Sequence, residues 1–213
     1  VNGAISEMTL RRLPLYLRYL NAVKDERQNV SASVIASYYG LNDVQVRKDL
    51  AAVSGSGKPK TGYDVRLLIA QIEDCLGCKD HTSAILVGVG NLGKSLLGYK
   101  GFSDYGIEIA AAFDRDESLI GTSVNGKPVL PLSELDELCF ERGITLAIIT
   151  VPALEAQGIC DRLTSCGIRA VWNFAPTLLK APSGVLVENE NLASSLAILS
   201  KHLRERSQGR QAV

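Results

Sequence analysis

Apolar residues in the first third of the chain recur at helical spacing, and from residue 84 onward they gather instead into short continuous runs. Leu13, Leu17, Leu20 and Val23, beside Leu15, Tyr16 and Tyr19, make a broad helical stripe with Arg11, Arg12, Arg18 and Lys24 around it. Pro14 lacks an amide hydrogen and is tolerated in the first turn, which places the start of this helix close to residue 13. Ser31 or Ser33 caps a second, short helix ending at Gly40, a residue suited to the left-handed position after a helix. Asn42 then caps a third helix that carries Val44, Val46, Leu50 and Val53. Two short helices joined by Tyr39-Gly40-Leu41 read as a helix-turn-helix. Behind it, residues 54–65 have the turn chemistry of a hairpin, with Lys58 and Lys60 near the tip. A helix-turn-helix followed by such a hairpin is a winged helix, and Val65, Leu68, Ile69 and Ile72 add a further amphipathic helix over 64–76.

The runs at 84–89, 107–113, 144–151 and 168–174 are expected strands, with helices near 91–100, 133–142 and 154–166 between them. Alternation of this kind implies a parallel sheet with right-handed crossovers, a doubly wound α/β fold. A last helix over about 191–206 spaces Leu192, Leu196, Leu199 and Leu203 along one face, a pattern common where a terminal helix packs on a partner subunit. The expected organisation is a winged-helix domain at 1–79, joined through Lys79–Thr82 to a Rossmann-type domain at 80–188, then a C-terminal helix at 189–206 and an unstructured tail at 207–213.

Chemistry concentrates where the first of these strands ends. Gly88-Val89-Gly90-Asn91-Leu92-Gly93 follows an apolar run and opens a helix. The first glycine permits the tight turn, Gly90 lets backbone approach a pyrophosphate, and Gly93 lets helix and strand pack closely. The phosphates would rest on the N-terminus of that helix. Asp114 lies 21 residues past Gly93 at the end of the next strand, where a carboxylate accepts hydrogen bonds from the adenosine ribose and opposes a 2′-phosphate. The expected cofactor is therefore NAD(H). Arg115 is open to two readings, an exposed arginine or one turned inward that weakens the preference.

Charge and composition sharpen the division. The chain is neutral overall, yet residues 1–63 hold nine Lys and Arg against five acids, so a basic head sits on an acidic body. No apolar stretch approaches the roughly 20 residues that span a bilayer, and the N-terminus has no secretory pattern, so the expectation is a cytoplasmic protein without membrane attachment. Five cysteines without a regular framework argue for a reducing compartment. Cys75-Leu-Gly-Cys78 has the spacing of a redox or half-zinc motif, but no second pair exists and Gly77 is a natural helix end, which favours a structural role. A hydride-transferring enzyme needs a substrate domain and a positioned acid or base. Between His81 and His202 there is no histidine, leaving Tyr99, Lys94 and Lys100 as the only candidates for an NAD-dependent oxidoreductase. Three alternatives stand: a DNA-binding protein that senses a dinucleotide, an oxidoreductase, and a DNA-binding protein that senses oxidation through Cys75 and Cys78.

Six segments together carry a resemblance. They are ArgArgLeuProLeuTyrLeuArgTyrLeu (11–20), ValArgLysAspLeu (46–50), GlyLysProLysThrGlyTyrAspVal (57–65), GlyValGlyAsnLeuGly (88–93), PheAspArgAsp (113–116) and TrpAsnPheAlaPro (172–176). In this order they resemble the bacterial Rex family of redox-sensing transcriptional repressors over nearly the whole chain. The resemblance implies a non-enzymatic homodimer whose winged helices bind a palindromic double-stranded operator and whose Rossmann domains read the NADH to NAD+ ratio, NADH releasing the DNA. Asn42, Gln45, Arg47 and Lys48 then lie on the N-terminal half of a recognition helix, where side chains meet base edges. Lys58 and Lys60 enter the minor groove or touch phosphate, and Arg11 with Arg12 add phosphate contacts. Thr150, Pro152, Asn173 and Phe174 complete the cofactor set.

By position, Tyr99 matches a tyrosine placed near the nicotinamide, and Arg18 an arginine linking the winged helix to the cofactor domain. Where the family commonly has ValAspLeu or ValAspPhe at the start of an exchanged C-terminal helix, this chain has Glu190-Asn191-Leu192. Asn191 offers hydrogen bonds to Tyr99 or Arg18 but no ion pair. Glu190 is either a substitute carboxylate or a first-turn acid favoured by the helix dipole. Leu192, Leu196, Leu199 and Leu203 would be swapped across the dimer, the alternative being a helix folded back on its own domain.

Overall fold

The computed structural model describes residues 5–210. The chain divides into two compact units, one taking the residues up to His81 with Gly101–Gly106, the other Thr82–Lys100 with the residues from Ile107 on. The boundary falls close to the expected linker, but no sequence signal announces that Gly101–Gly106 joins the first unit. Gly106 adopts φ +69, and a Cβ there would meet the Cys78 and Asp80 carbonyls at 2.6 and 2.7 Å.

The first unit contains α1 (Glu7–Val23), β1 (Asn29–Val30), α2 (Ala32–Tyr39), α3 (Asp43–Ser54), β2 (Tyr63–Asp64) and α4 (Val65–Leu76). Helix α1 starts at Glu7, not near residue 13, because Ser6 caps it by accepting from the Thr9 amide. Pro14 is left inside the helix at a cost of about 3 kcal/mol, offset by the burial of Leu13, Tyr16, Leu17 and Leu20 around it. Ser31 rather than Ser33 caps α2, and Gly40 closes it at φ +65. Asn42 caps α3 by accepting from the Val44 and Gln45 amides. Val46 and Leu50 of α3 are fully buried, but Val44, expected among the apolar positions of this helix, is 51% exposed.

The wing is shorter than a full hairpin. β1 and β2 pair antiparallel, and Lys58 and Gly62 exchange both backbone hydrogen bonds at 2.8 Å. The tip is therefore Pro59-Lys60-Thr61, with Lys60 itself in the left-handed region. A side chain on Gly62, at φ +82, would collide with the Val30 carbonyl.

Behind the outward face of α3 sits a carboxylate almost removed from water. Asp49 is 1% exposed. It accepts from Arg12 Nε at 2.7 Å and Nη2 at 2.9 Å, from Tyr16 Oη at 2.8 Å, from Thr9 Oγ1 at 3.0 Å and from Gln45 Nε2 at 2.9 Å. Burial alone would push its carboxyl up; the bonds from Arg12, Tyr16, Gln45 and Thr9 outweigh that and hold it below the usual range. The cluster ties α1 to α3.

The second unit contains β3 (Thr82–Val87), α5 (Asn91–Leu97), β4 (Ile107–Asp114), β5 (Ser123–Val124), β6 (Lys127–Pro131), α6 (Leu135–Arg142), β7 (Leu146–Ile149), α7 (Ala153–Ser165), β8 (Ala170–Asn173), β9 (Leu186–Asn189) and α8 (Leu192–Arg210). Its sheet runs β5-β6-β4-β3-β7-β8-β9, parallel except for the β5–β6 pair. Leaving β5 aside, this is the doubly wound order 3-2-1-4-5-6, whose connections diverge between β3 and β7. Covered on both faces, β3 and β4 read as unbroken apolar runs, with Ala84–Val87 and Ala111–Phe113 buried.

Strands β5, β6 and β9 were not among those expected. β6 carries Pro128 and Pro131, residues that argue against a central strand, and β9 is a half-polar edge. Helix α5 stops at Leu97, with Lys100–Tyr105 in a 3-10 turn. Helix α8 continues to Arg210, so Ser207–Arg210 of the expected tail are helical, since no proline interrupts the ladder; 211–213 lie outside the described residues. Its apolar residues do not fold back on the domain: Ile198 is 56% and Leu196 70% exposed, with Leu192, Leu199 and Leu203 in between.

Asp49→Ala is expected to lower the unfolding free energy by about 3–5 kcal/mol at pH 7, because it strands Arg12. Asp43→Ala, which removes an exposed pair with Arg47, should cost less than about 1 kcal/mol. Urea denaturation followed by circular dichroism measures both. Since the folded Asp49 carboxyl is depressed, the gap between wild type and Asp49→Ala should be full above the unfolded value of about 3.9 and close as pH falls through the lower folded value.

Candidate functional site

β3 delivers the chain into a loop whose glycines have distinct duties. Gly88 adopts φ +102, and a Cβ there would lie 2.9 Å from the Thr150 carbonyl carbon and the Val151 amide nitrogen. Gly93 packs so closely on the Gly88 carbonyl oxygen that no Cβ fits between them, whereas a Cβ on Gly90 would meet open space. Thr150 Oγ1 donates to the Val87 and Gly88 carbonyls, fastening the loop to the end of β7. Asp114, at the end of β4, accepts from the Val89 amide on one oxygen and from the Arg115 and Asp116 amides, at 2.8 and 3.0 Å, on the other. The loop is thus tied to the carboxylate it was expected to share a ligand with.

Around this junction lies a cavity of about 830 Å³ at the C-terminal ends of β3, β4 and β7, where ligands bind in open α/β sheets. Of the residues expected to bind a cofactor, Gly88, Val89, Gly90, Asp114, Arg115, Thr150, Pro152 and Phe174 line it. Arg115 is largely exposed and pairs at 3.0 Å with Glu155, which lines the same cavity. Asn91, Leu92 and Gly93 form the first turn of α5 outside the lining, and Tyr99, 60% exposed, follows α5. Asn173 is fully buried and does not line the cavity. Its amide donates to the Thr177 carbonyl and to Asn189 Oδ1 and accepts from the Ala175 amide, so it braces the loop after β8.

Sequence reading missed the cavity's apolar wall of Leu119, Leu132, Val151 and Ile159. Leu119 sits in a polar stretch without periodicity and Leu132 directly follows β6, a strand the sequence did not announce, so only the β4–β5–β6 connection brings them to the site.

At the start of α8, Asn191 is a helix cap: its Oδ1 accepts from the Ser194 amide at 3.0 Å. Glu190 precedes the cap and is not a first-turn acid of α8; one of its carboxylate oxygens accepts from the Trp172 indole at 3.0 Å. Arg18 lies on the exposed side of α1 in the first unit, while Tyr99 and Asn191 belong to the second.

In the first unit, α3 presents Val44, Gln45, Arg47 and Lys48 to the outside. Arg47, Lys58 and Lys60 line one cleft of about 390 Å³ together with Ser31, Ser33 and Ser56, bringing the N-terminus of α2, the middle of α3 and the wing to a common basic surface. Arg47 also holds Asp43 at 2.9 Å. Asn42 spends its carbonyl oxygen on the α3 cap. Arg11 pairs with Glu7 one turn away. Arg12 departs from the expected phosphate contact because both its bonds go to Asp49.

Cys75 and Cys78 are half-buried, and burial, reinforced by Asp74 and Glu73 respectively, pushes both thiols up, away from the reactive thiolate. Burial pushes Cys139 up to about 12. Among the described residues no group of three or more His, Cys, Asp or Glu is placed to hold a metal, and no helix is long and apolar enough to cross a membrane.

Comparison with known proteins matches residues 79–177 to a family model described as CoA binding domain, and residues 4–51 to one described as putative DNA-binding protein N-terminus. The redox-sensing transcriptional repressor Rex of Brevibacillus brevis is 42% identical over 200 residues, covering 93% of this chain and 97% of that protein. Among solved structures, RSP in complex with β-NAD+ and operator DNA is 31% identical with a TM-score of 0.90, covering 99% of this chain and 97% of that one. RSP in complex with β-NADH is 30% identical with a TM-score of 0.86 over the whole of both chains.

The glycine loop separates two substitutions of equal size. Gly93→Ala should lower the thermal midpoint by several degrees, because its methyl displaces the Gly88 carbonyl, with an overpacking cost of about 1–3 kcal/mol. Gly90→Ala should unfold within about 0.5 kcal/mol of wild type. Differential scanning fluorimetry of the two variants checks both.

Proposed function

This chain belongs to the Rex family of redox-sensing transcriptional repressors, and we propose that it binds a palindromic operator through α3 and the wing and leaves it when NADH occupies the cavity beside Asp114. The observation that carries this reading is the presence, in one chain, of a basic cleft between recognition helix and wing and a cavity built around a glycine loop and a carboxylate.

The cavity's residues fit NAD(H). Gly90 leaves room for backbone to approach a pyrophosphate, Asp114 keeps acceptor capacity for ribose hydroxyls beyond its three amides, and Leu119, Leu132, Val151 and Ile159 offer an apolar slot for the adenine. We assign Tyr99, Pro152 and Phe174 to the other end of the site. When bound, the dinucleotide supplies a nicotinamide that is cationic if oxidised and neutral if reduced. Pro152 and Phe174 present an apolar surface with which a cation exchanges hydration at a loss, so redox state becomes a difference in binding. Complete reversal of a 1:99 population needs about 5.5 kcal/mol of differential affinity; a graded switch works with less.

On the DNA side, Gln45 and Lys48, with Val44 beside them, form the base-reading edge of α3, and Arg47, Lys58 and Lys60 hold the phosphates. The exposed leucine stripe of α8 is the dimer contact, exchanged between subunits, and its two-fold symmetry is mirrored by that of the operator. The chain works as a regulator rather than a catalyst, in the cytoplasm where the chromosome lies.

Fluorescence anisotropy on a palindromic duplex, recovered from a randomised library by selection with this chain, tests the reading. NADH should release the duplex at fixed salt in the presence of excess NAD+, and NAD+ alone should not. Gly90→Ala should keep the DNA affinity and lose the response to NADH. Lys58→Ala and Lys60→Ala should weaken binding to all sequences alike, each reducing the slope of log K against log salt by about 1. Duplex binding that ignores both forms of the dinucleotide would sink the redox reading; steady consumption of NADH would favour an oxidoreductase.

A further inference from the structure

One side chain on the outward face of α3 has its orientation dictated from behind. Gln45 is exposed, yet its Nε2 donates to Asp49 Oδ1 at 2.9 Å. Asp49 is a buried carboxylate already receiving Arg12, Tyr16 and Thr9. An ionised carboxylate is an acceptor only. Reversing the Gln45 amide would set its oxygen against that anion and leave one donor of the cluster missing. The nitrogen therefore stays toward Asp49, and Oε1 remains as the acceptor of Gln45 that Asp49 does not engage.

An unrestrained glutamine on a recognition helix has two polarities. With nitrogen forward it donates to guanine O6 or thymine O4; with oxygen forward it accepts from adenine N6 or cytosine N4. Resting on the operator-binding reading above, we propose that Asp49 sets this polarity: it holds one Nε2 hydrogen and leaves Oε1 to accept from an exocyclic amine, making Gln45 a specificity-determining residue for a base edge that offers one. Asp49 touches no base in this scheme; it is a positioning residue acting through Gln45.

The test uses the full chain and the selected duplex. The position read by Gln45 is found as the base pair at which Gln45→Ala, an exposed substitution, loses discrimination. Wild-type discrimination at that pair should depend on its exocyclic amine, adenine N6 or cytosine N4. Replacing that base by its analogue without the amine, purine for adenine or 2-pyrimidinone for cytosine, should weaken wild-type binding about tenfold and leave Gln45→Ala unchanged. Asp49→Asn, in which the partner has both a donor and an acceptor, should bind the duplex lacking the amine with affinity closer to that of the duplex carrying it. If that variant does not fold by circular dichroism, the wild-type and Gln45→Ala comparison decides alone. Indifference to loss of the amine, or no position at which Gln45→Ala changes discrimination, would overturn the proposal. Failure to select any duplex would overturn the operator-binding reading itself, and this one with it.

Discussion

A carboxylate taken out of water must be surrounded by donors or it will not stay charged, and Asp49 meets that demand in a way that organises the whole helical unit. Its oxygens collect donors from two turns of α1 and one turn of α3. Satisfying it fixes the distance and rotation between the two helices, and the same bonds fix the side chain that stands between core and solvent. Arg12 and Arg11 are adjacent in sequence, yet one is consumed by this cluster and the other is left on the surface with Glu7. A basic residue count therefore overstates what is available to a polyanion.

Asp114 answers a milder form of the same demand in the second unit. It is partly open to solvent, and the amides it collects belong to the loop that a dinucleotide needs and to the turn that closes the cavity. Thr150 does the complementary work from β7 by donating to the loop's carbonyls. Carboxylate and hydroxyl hold the glycine loop from both sides, so the cavity is formed by the protein's own hydrogen bonds at the point where the strand order reverses. Outside that frame, α8 carries an apolar stripe left exposed, with Leu192, Leu196, Ile198, Leu199 and Leu203 each more than half exposed.

Much of this was legible from the chain alone, and for identifiable reasons. The helix start at Asn42 and the stops at Gly40 and Gly77 follow from local hydrogen bonding and backbone freedom, whereas the choice of Ser31 over Ser33 and the cap at Asp64 emerged only in the fold. The runs that became β3, β4, β7 and β8 are apolar on both faces and stood out. What failed to stand out depended on distant partners. Pro128 and Pro131 disguised β6, which is held by β4 on one side and β5 on the other. Pro14 suggested a helix start because the burial that tolerates it inside α1 involves other elements. Val44 was expected as part of an apolar face, and only the packing of α3 showed that it looks outward.

The residue types that can grip a phosphate, cap a helix or permit a left-handed turn are properties of the chain itself, so the winged helix, the parallel sheet and the glycine loop with its carboxylate were determined by the sequence. Which atoms of those residues remain available was decided by the tertiary fold, because a hydrogen-bonding group is spent by whatever neighbour reaches it first. Asn173 and Arg12 were absorbed into structure, Asn191 became a cap and Gln45 kept an acceptor. Sequence names the groups; the packing of one element on another sets how many of their bonds are left for a ligand.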